Sequence, residues 1–110
     1  MKKKLLFICA GGLDRSPCAE SLFKNNPKFD ARSCGLYPLI SSAIVKKHHL
    51  NWADYIFVME IQHKIDLKKM FPLIIKDKPE IIVLGVPNNY VRHDPELEKI
   101  LKVKLDGWLN

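Results

Sequence analysis

The sequence predicts one α/β domain over residues 1–110, three layers deep, with a parallel sheet flanked by helices on both faces. Three observations predict it. Four short apolar runs alternate with stretches of helical character, the pattern of strand–crossover–strand units. The strongest runs, such as "KLLFIC" at 4–9, are continuously apolar, as strands covered on both faces are. Finally, 110 residues with 47% apolar and 27% charged side chains suffice for one core but not for two.

In chain order, the strand at 4–9 runs into a loop holding Gly11 and Gly12. Ser16 is then a candidate N-cap and Pro17 fits the first position of a helix, with Leu22 and Phe23 supplying an apolar stripe before "NNPK" closes it. "FDARSCGL" at 29–36 has the alternation and terminal glycine of a second strand. "SSAIVKKHHLNW" at 41–52 predicts a short helix capped by Ser41 or Ser42. A third strand, "YIFVME" at 55–60, precedes a helix in which Ile61, Ile65, Leu67 and Met70 make one face mostly apolar and Pro72 is the stop. "EIIVLGV" at 80–86 is the fourth strand. The last helix has Asp94 as candidate N-cap and Pro95 in its first turn, with Leu97, Ile100, Leu101, Leu105 and Trp108 inward. Met59 and Met70 are assigned to the core, and Trp52 and Trp108 to anchoring helices.

A net charge of +6 concentrates anionic partners near the surface, but the lysines are scattered over helix faces and loops without interleaved aromatics. They read as a solvated surface, so no nucleic acid partner is expected. "LLFICAGGL" after three lysines imitates a signal peptide, yet its glycines and the following Asp14 and Arg15 break the pattern. No span has the apolar length of a membrane helix, and no membrane partner is expected. Three cysteines, an odd number without Cys-x-x-Cys spacing, suit a reducing compartment and place the chain in the cytoplasm. His48 and His49 are adjacent while His63 and His93 lie far off, so no metal-ligand spacing exists.

The chemistry concentrates in "CAGGLDRSPCAE", residues 9–20. A loop from a strand end to a helix start directs successive N–H groups into one concavity, and the helix dipole adds positive potential there. Ala10, Gly11, Gly12, Leu13, Asp14 and Arg15 are the candidate phosphate-binding residues. Gly11 and Gly12 allow positive φ and close backbone approach. The Arg15 guanidinium can hold two phosphoryl oxygens at once. The same donors favour the thiolate of Cys9, which faces the held group as an in-line nucleophile.

At these residues the chain resembles the low-molecular-weight protein tyrosine phosphatases, and more narrowly their short bacterial members. The match to the family signature Cys-x5-Arg-Ser runs through Cys9, Arg15, Ser16, Pro17, Ala19 and Glu20. "RSCGL", "WADYIFVME" with "QHKIDLKKMFP", and "VLGVPNNY" resemble the family's second, third and fourth strands with their following segments, so the likeness covers nearly the whole chain in order. It implies a four-stranded parallel sheet and a phosphatase without cofactor. It also implies a phosphocysteine on Cys9, Arg15 as phosphate clamp and Ser16 as hydroxyl donor to the Cys9 sulfur. Substrates would be a phosphorylated protein or a small phosphoester, with inorganic phosphate as product.

Three departures bear on activity. Gly12 stands where the family usually has Asn. Asp14 puts a carboxylate inside the loop, where it opposes an anion unless it points outward or pairs with a lysine. Asn88 takes the place of the family's acid in "VPNNY", and it cannot protonate a leaving group; Tyr90 aligns with the family's Tyr, as a substrate wall or as a surface aromatic. Asp94, in an Asp-Pro pair six residues further on, has two readings, general acid and N-cap. Losing general-acid help costs about two to four orders of magnitude in rate. The sequence therefore also admits a catalytically weak or inactive phosphate-binding module, and an arsenate reductase in which Cys18 and Cys34 relay electrons. Cys18 could alternatively form a protective disulfide with Cys9, or simply pack in the core, and Cys34 is expected to fill space at the end of the second strand.

Overall fold

In the computed structural model, which describes residues 2–39, 41–76, 78 and 80–109, the four apolar runs pair as one parallel sheet. The strands are β1 (Lys3–Cys9), β2 (Phe29–Gly35), β3 (Tyr55–Val58) and β4 (Ile82–Val83), in the order β2-β1-β3-β4. The helices are α1 (Arg15–Ser21), α2 (Lys47–Trp52), α3 (Ile61–Met70), α4 (Pro72–Lys76) and α5 (Pro95–Leu109). β1 is central, and the chain leaves it first for β2 on one side and later for β3 on the other. The carboxyl end of β1 is therefore the topological switch point, where parallel sheets open a crevice for ligands.

The period of two along β1 divides the core into two layers. Leu5, Phe7 and Cys9 face Cys18, Ala19, Leu97, Leu101 and Leu105 of α1 and α5. Leu6 and Ile8 face Leu50, Leu67 and Ile75 of α2, α3 and α4. Phe7 stacks on Phe57 and Phe23 with ring centroids 5.2 and 5.8 Å apart. Each such buried side chain contributes about 1.5–3 kcal/mol, which fixes the strand carrying Cys9.

Several expectations are corrected by long-range contacts. α1 starts at Arg15 with Asp14 in the N-cap position, so Ser16 is not the cap; it lies in the first turn, where Pro17 is tolerated because first-turn N–H groups need no helical partner. Residues 41–52 do not form one helix. They make a 3₁₀ turn (Ser41–Ala43), then Ile44 bridges to Gly35 and the Val45 N–H donates to the Gly35 carbonyl at 2.9 Å. These β-branched residues extend the sheet edge, and α2 begins only at Lys47, capped at its N-terminus by the His49 side chain rather than by a serine.

α3 buries His63 and Leu67, whereas Ile61, Ile65 and Met70 are exposed. The bond from the Glu60 N–H to His63 Nδ1, 3.2 Å long, sets the rotation of its first turn and turns the 63/67 stripe toward the sheet. Pro72 ends α3 as expected and also opens α4. β4 is shorter than 80–86 because Gly85, at φ +72°, turns the chain, although the Leu84 and Val86 N–H groups still reach the Val58 and Met59 carbonyls at 2.8 Å. Trp108 is exposed and Ile100 half-buried; Trp52 is half-buried beneath the Arg32 guanidinium, 4.4 Å from its ring centroid.

Candidate active site

β1 delivers Cys9 to the switch point, buried against the α1/α5 layer. The ladder continues one step past the strand, with the Leu36 N–H donating to the Cys9 carbonyl at 3.0 Å and the Tyr37 N–H to the Ala10 carbonyl at 2.8 Å. The base of the loop is thereby clamped to the segment after β2. Of the two loop glycines only Gly12 takes positive φ, at +68°. It packs against Gly35 backbone to backbone: a Cβ on Gly35 would lie 2.6 Å from the Gly12 nitrogen, and one on Gly12 would lie 2.9 Å from the Gly35 nitrogen. This double glycine contact lets the loop curl tightly enough for the Gly12 N–H to donate to Cys9 Sγ at 3.1 Å.

Ser16 Oγ is 3.1 Å from the same sulfur and donates to the Cys34 carbonyl, also at 3.1 Å. With one hydroxyl proton, Ser16 can serve either acceptor. A Cys9 thiol donates to Ser16, whereas a thiolate draws the Ser16 proton onto itself. A donor from the backbone and one from a side chain thus converge on the sulfur.

Arg15 is the largest fully buried side chain, 1% exposed. A buried guanidinium requires partners. Nη1 donates to Glu60 Oε2 at 2.7 Å and to the Val86 carbonyl at 2.8 Å, while Nε is buried with no partner among the described residues. The Arg15 hydrogen bond holds the Glu60 carboxyl below its usual range despite some burial, with the Arg15 charge and His63 adding. A small cavity of about 160 Å³ opens beside these groups, lined by Cys9, Ala10, Gly11, Leu13, Asp14, Arg15 and Asn88. A Cβ on Gly11 would meet nothing within 4 Å.

Among the described residues Asp14 has no lysine partner. Its Oδ1 accepts the Arg92 N–H at 2.9 Å, linking the loop to the segment after β4, while residue 14 still forms part of the cavity wall. Asn88 lines the cavity from that segment; Tyr90 is half-buried against the α1/α5 layer and is not among the lining residues. Asp94 Oδ1 accepts the Glu96 N–H at 2.9 Å, which is an N-cap bond to α5, and Asp94 is likewise not among the lining residues.

All three thiols are free. Cys18 is buried in the α1/α5 layer and Cys34 in the opposite one. Burial pushes the Cys34 thiol up to about 12, with the charge of Cys9 and then Glu20 adding, and burial likewise raises Cys18. Sequence reasoning missed Gly35, Glu60, His63 and the Val86 carbonyl. A signal existed for Glu60, a carboxylate at the carboxyl end of a buried strand, where parallel sheets place ligand-facing groups. The Gly35 signal, a glycine ending a strand, gains meaning only once its partner Gly12 is known.

No family model matches the chain. Among proteins of known role, it is 26% identical to a protein-arginine-phosphatase of Geobacillus stearothermophilus, over 66% of this chain; the match spans 64% of that protein. The solved YwlE arginine phosphatase of the same organism superimposes with a TM-score of 0.67 at 24% identity, covering 97% of this chain and 92% of that one. The tyrosine phosphatase Wzb of Escherichia coli in complex with phosphate gives 0.76 at 20% identity, over 98% and 96%. A low molecular weight protein tyrosine phosphatase of Streptococcus pyogenes gives 0.77 at 22% identity, over 97% and 91%. The fold is that of the low molecular weight protein tyrosine phosphatases, as the resemblance at residues 9–20 led one to expect.

Proposed function

We propose that this chain is a phosphomonoester hydrolase that moves the phosphoryl group of an aryl phosphate, of the phosphotyrosine type, first to Cys9 and then to water. One observation carries the reading: a buried Arg15 with an unpartnered Nε stands beside a cavity that also holds the twice-bonded Cys9 sulfur. An unmade hydrogen bond on a buried cation is costly, and a tetrahedral oxyanion in the cavity would make it. The fold's relatives support the same reading, one of them solved with phosphate.

In the first step the sulfur lone pair forms an S–P bond as the ester P–O bond breaks, and its electron pair leaves on the aryl oxygen. In the second, water attacks phosphorus, the S–P bond breaks, the thiolate returns and inorganic phosphate departs, with the proton of the water passing to solvent. The Gly12 N–H and the Ser16 hydroxyl stabilise the sulfur anion at the start and end of the cycle. Arg15 binds the phosphoryl oxygens, the N–H groups between Ala10 and Asp14 cradle them, and Leu13, 42% exposed, offers an apolar rim to a ring. Because Asn88 cannot give a proton and Asp94 is engaged as a cap, the reading favours oxygens that leave unprotonated, aryl over alkyl.

A second substrate class, phosphoarginine, is favoured by the arginine phosphatase relative and by the presence of an acidic residue, Asp14, among those lining the cavity, since a carboxylate suits a guanidinium. Arsenate reduction has less support, because Cys18 and Cys34 are buried and held as thiols. Three buried free thiols suit a reducing compartment, so we place the activity in the cytoplasm. Among the described residues no helix is long and apolar enough to cross a membrane. The test is the initial rate on an activated aryl phosphate, an alkyl phosphate and phosphoarginine, for wild type and Cys9→Ser. We expect turnover of the aryl ester, little of the alkyl ester, and none by Cys9→Ser. Equal rates for the two proteins would end the mechanism, and phosphate binding without any turnover would identify a binding module instead.

A further inference from the structure

We propose that His63 is a positioning residue for Arg15, acting through Glu60, and that its neutral form sets the guanidinium to receive an oxyanion. The proposal rests on the phosphate-binding reading of the site above. Its basis is a continuous chain of contacts. The His63 ring is buried, 4% exposed. Its Nδ1 accepts the Glu60 N–H at 3.2 Å, and its Nε2 lies 3.4 Å from Glu60 Oε2. That same oxygen accepts Arg15 Nη1 at 2.7 Å. Because Nδ1 accepts a backbone N–H, the ring proton of the neutral form sits on Nε2, facing the carboxylate. Glu60 is thus held at both its main chain and its carboxylate. With Val86 on the same Nη1, it fixes the guanidinium plane and leaves Nε for a ligand.

A cationic His63 cannot keep this arrangement. Its Nδ1–H would oppose the Glu60 N–H, breaking the bond that ties the first turn of α3. Nε2–H already faces the carboxylate in the neutral ring, so what protonation adds there is charge: two cations, His63 and Arg15, would share one partly exposed carboxylate. The charged groups around the ring come from each neighbouring element: Arg15 from α1, Glu60 from the β3–α3 junction, and Asp66 one turn on in α3. Asp66 is itself bonded to the Tyr37 hydroxyl from beyond β2 and to Gln62. Burial first, then the Arg15 charge, hold His63 below the ordinary histidine value, while Glu60 and Asp66 pull the other way. The neutral ring is therefore the resting state at neutral pH, and the loss of order lies on the acid side of about 6.5.

The experiment uses sulfate, which keeps both charges over the range studied, and compares wild type with His63→Gln. A Gln carbonyl at this third helical position accepts the N-cap N–H, as in a capping box, but does not titrate. We expect wild-type sulfate affinity to fall about tenfold as His63 protonates, the loss of one charge-assisted contact. His63→Gln should keep the neutral-pH affinity and stay flat. Hydrogen exchange at the Glu60 amide should accelerate over the same acid range in wild type alone. An acid-side loss of equal size in both proteins, or flat binding in wild type, overturns the role of His63 and leaves the phosphate site standing. No binding of sulfate or phosphate by either protein at any pH overturns both the site and this role.

Discussion

Two loops border the cavity, and they are held by opposite means. The loop 9–16 places a glycine, Gly12, in the left-handed region and packs it against a second glycine, Gly35, so its conformation is unstrained and enforced by contact. The segment 87–94 places a non-glycine, His93, at φ +70°, a position that costs free energy unless its surroundings impose it. Its restraints are scattered: the Arg92 N–H to Asp14, the Asp94 N–H to the Val91 carbonyl at 3.1 Å, a backbone hydrogen bond from His93 to Cys18, the Asp94 cap on α5 and the packing of Tyr90 on the α1/α5 layer. The loop 9–16 is thus preorganised by the fold. The segment carrying Asn88 is tethered to it, chiefly through Asp14. A carboxylate that looks misplaced for anion binding acts as the link between the two.

The largest effect is chemical: Cys9→Ser should lower the rate on an activated aryl phosphate by about four orders of magnitude or more, while inorganic phosphate still raises its melting temperature. Next is the glycine contact. Gly35→Ala should cost about 1–3 kcal/mol in a urea titration and weaken phosphate binding, because the new methyl must displace loop backbone. Gly11→Ala, which meets nothing, should change stability by less than about 0.5 kcal/mol.

In the second loop the effects are smaller. Asp94→Ala should lose about 1 kcal/mol, and Asp94→Asn only a few tenths, since Asn caps as well as Asp; the urea midpoint separates them. If Asp94→Asn also slows poor leaving groups by about a hundredfold, the carboxyl is an acid as well as a cap. Asp14→Ala should cost about 0.5–1.5 kcal/mol for one hydrogen bond, comparable to Asp94→Ala. Its diagnostic is local, a loss of exchange protection at the Arg92 amide with that of Gly12 unchanged. Equal loss at both amides would show that the two loops are one unit.

The same contrast explains what could be read in advance. The sheet, its helices and the placing of Cys9, Arg15 and Ser16 around one loop follow from local signals: continuous apolar runs and a strand-loop-helix junction. What escaped was set by contacts between distant segments. Asp14 and Arg92 lie 78 residues apart, Arg15 and Val86 71 apart, and Arg15 and Glu60 45 apart. The rotation of α3 was misjudged because its apolar residues outnumber the two positions, His63 and Leu67, that the Glu60 anchor turns inward. Ser16 looked like a cap because its type and place beside Pro17 fit one, whereas its hydroxyl is taken by a sulfur and a carbonyl.

The most direct measurement is rapid acid quenching during turnover of an activated aryl phosphate, followed by mass mapping of the chain. The account predicts one phosphoryl group on the peptide carrying Cys9, formed in a burst with the released alcohol and missing from Cys9→Ser. Steady release of the alcohol with no adduct on that peptide would contradict it.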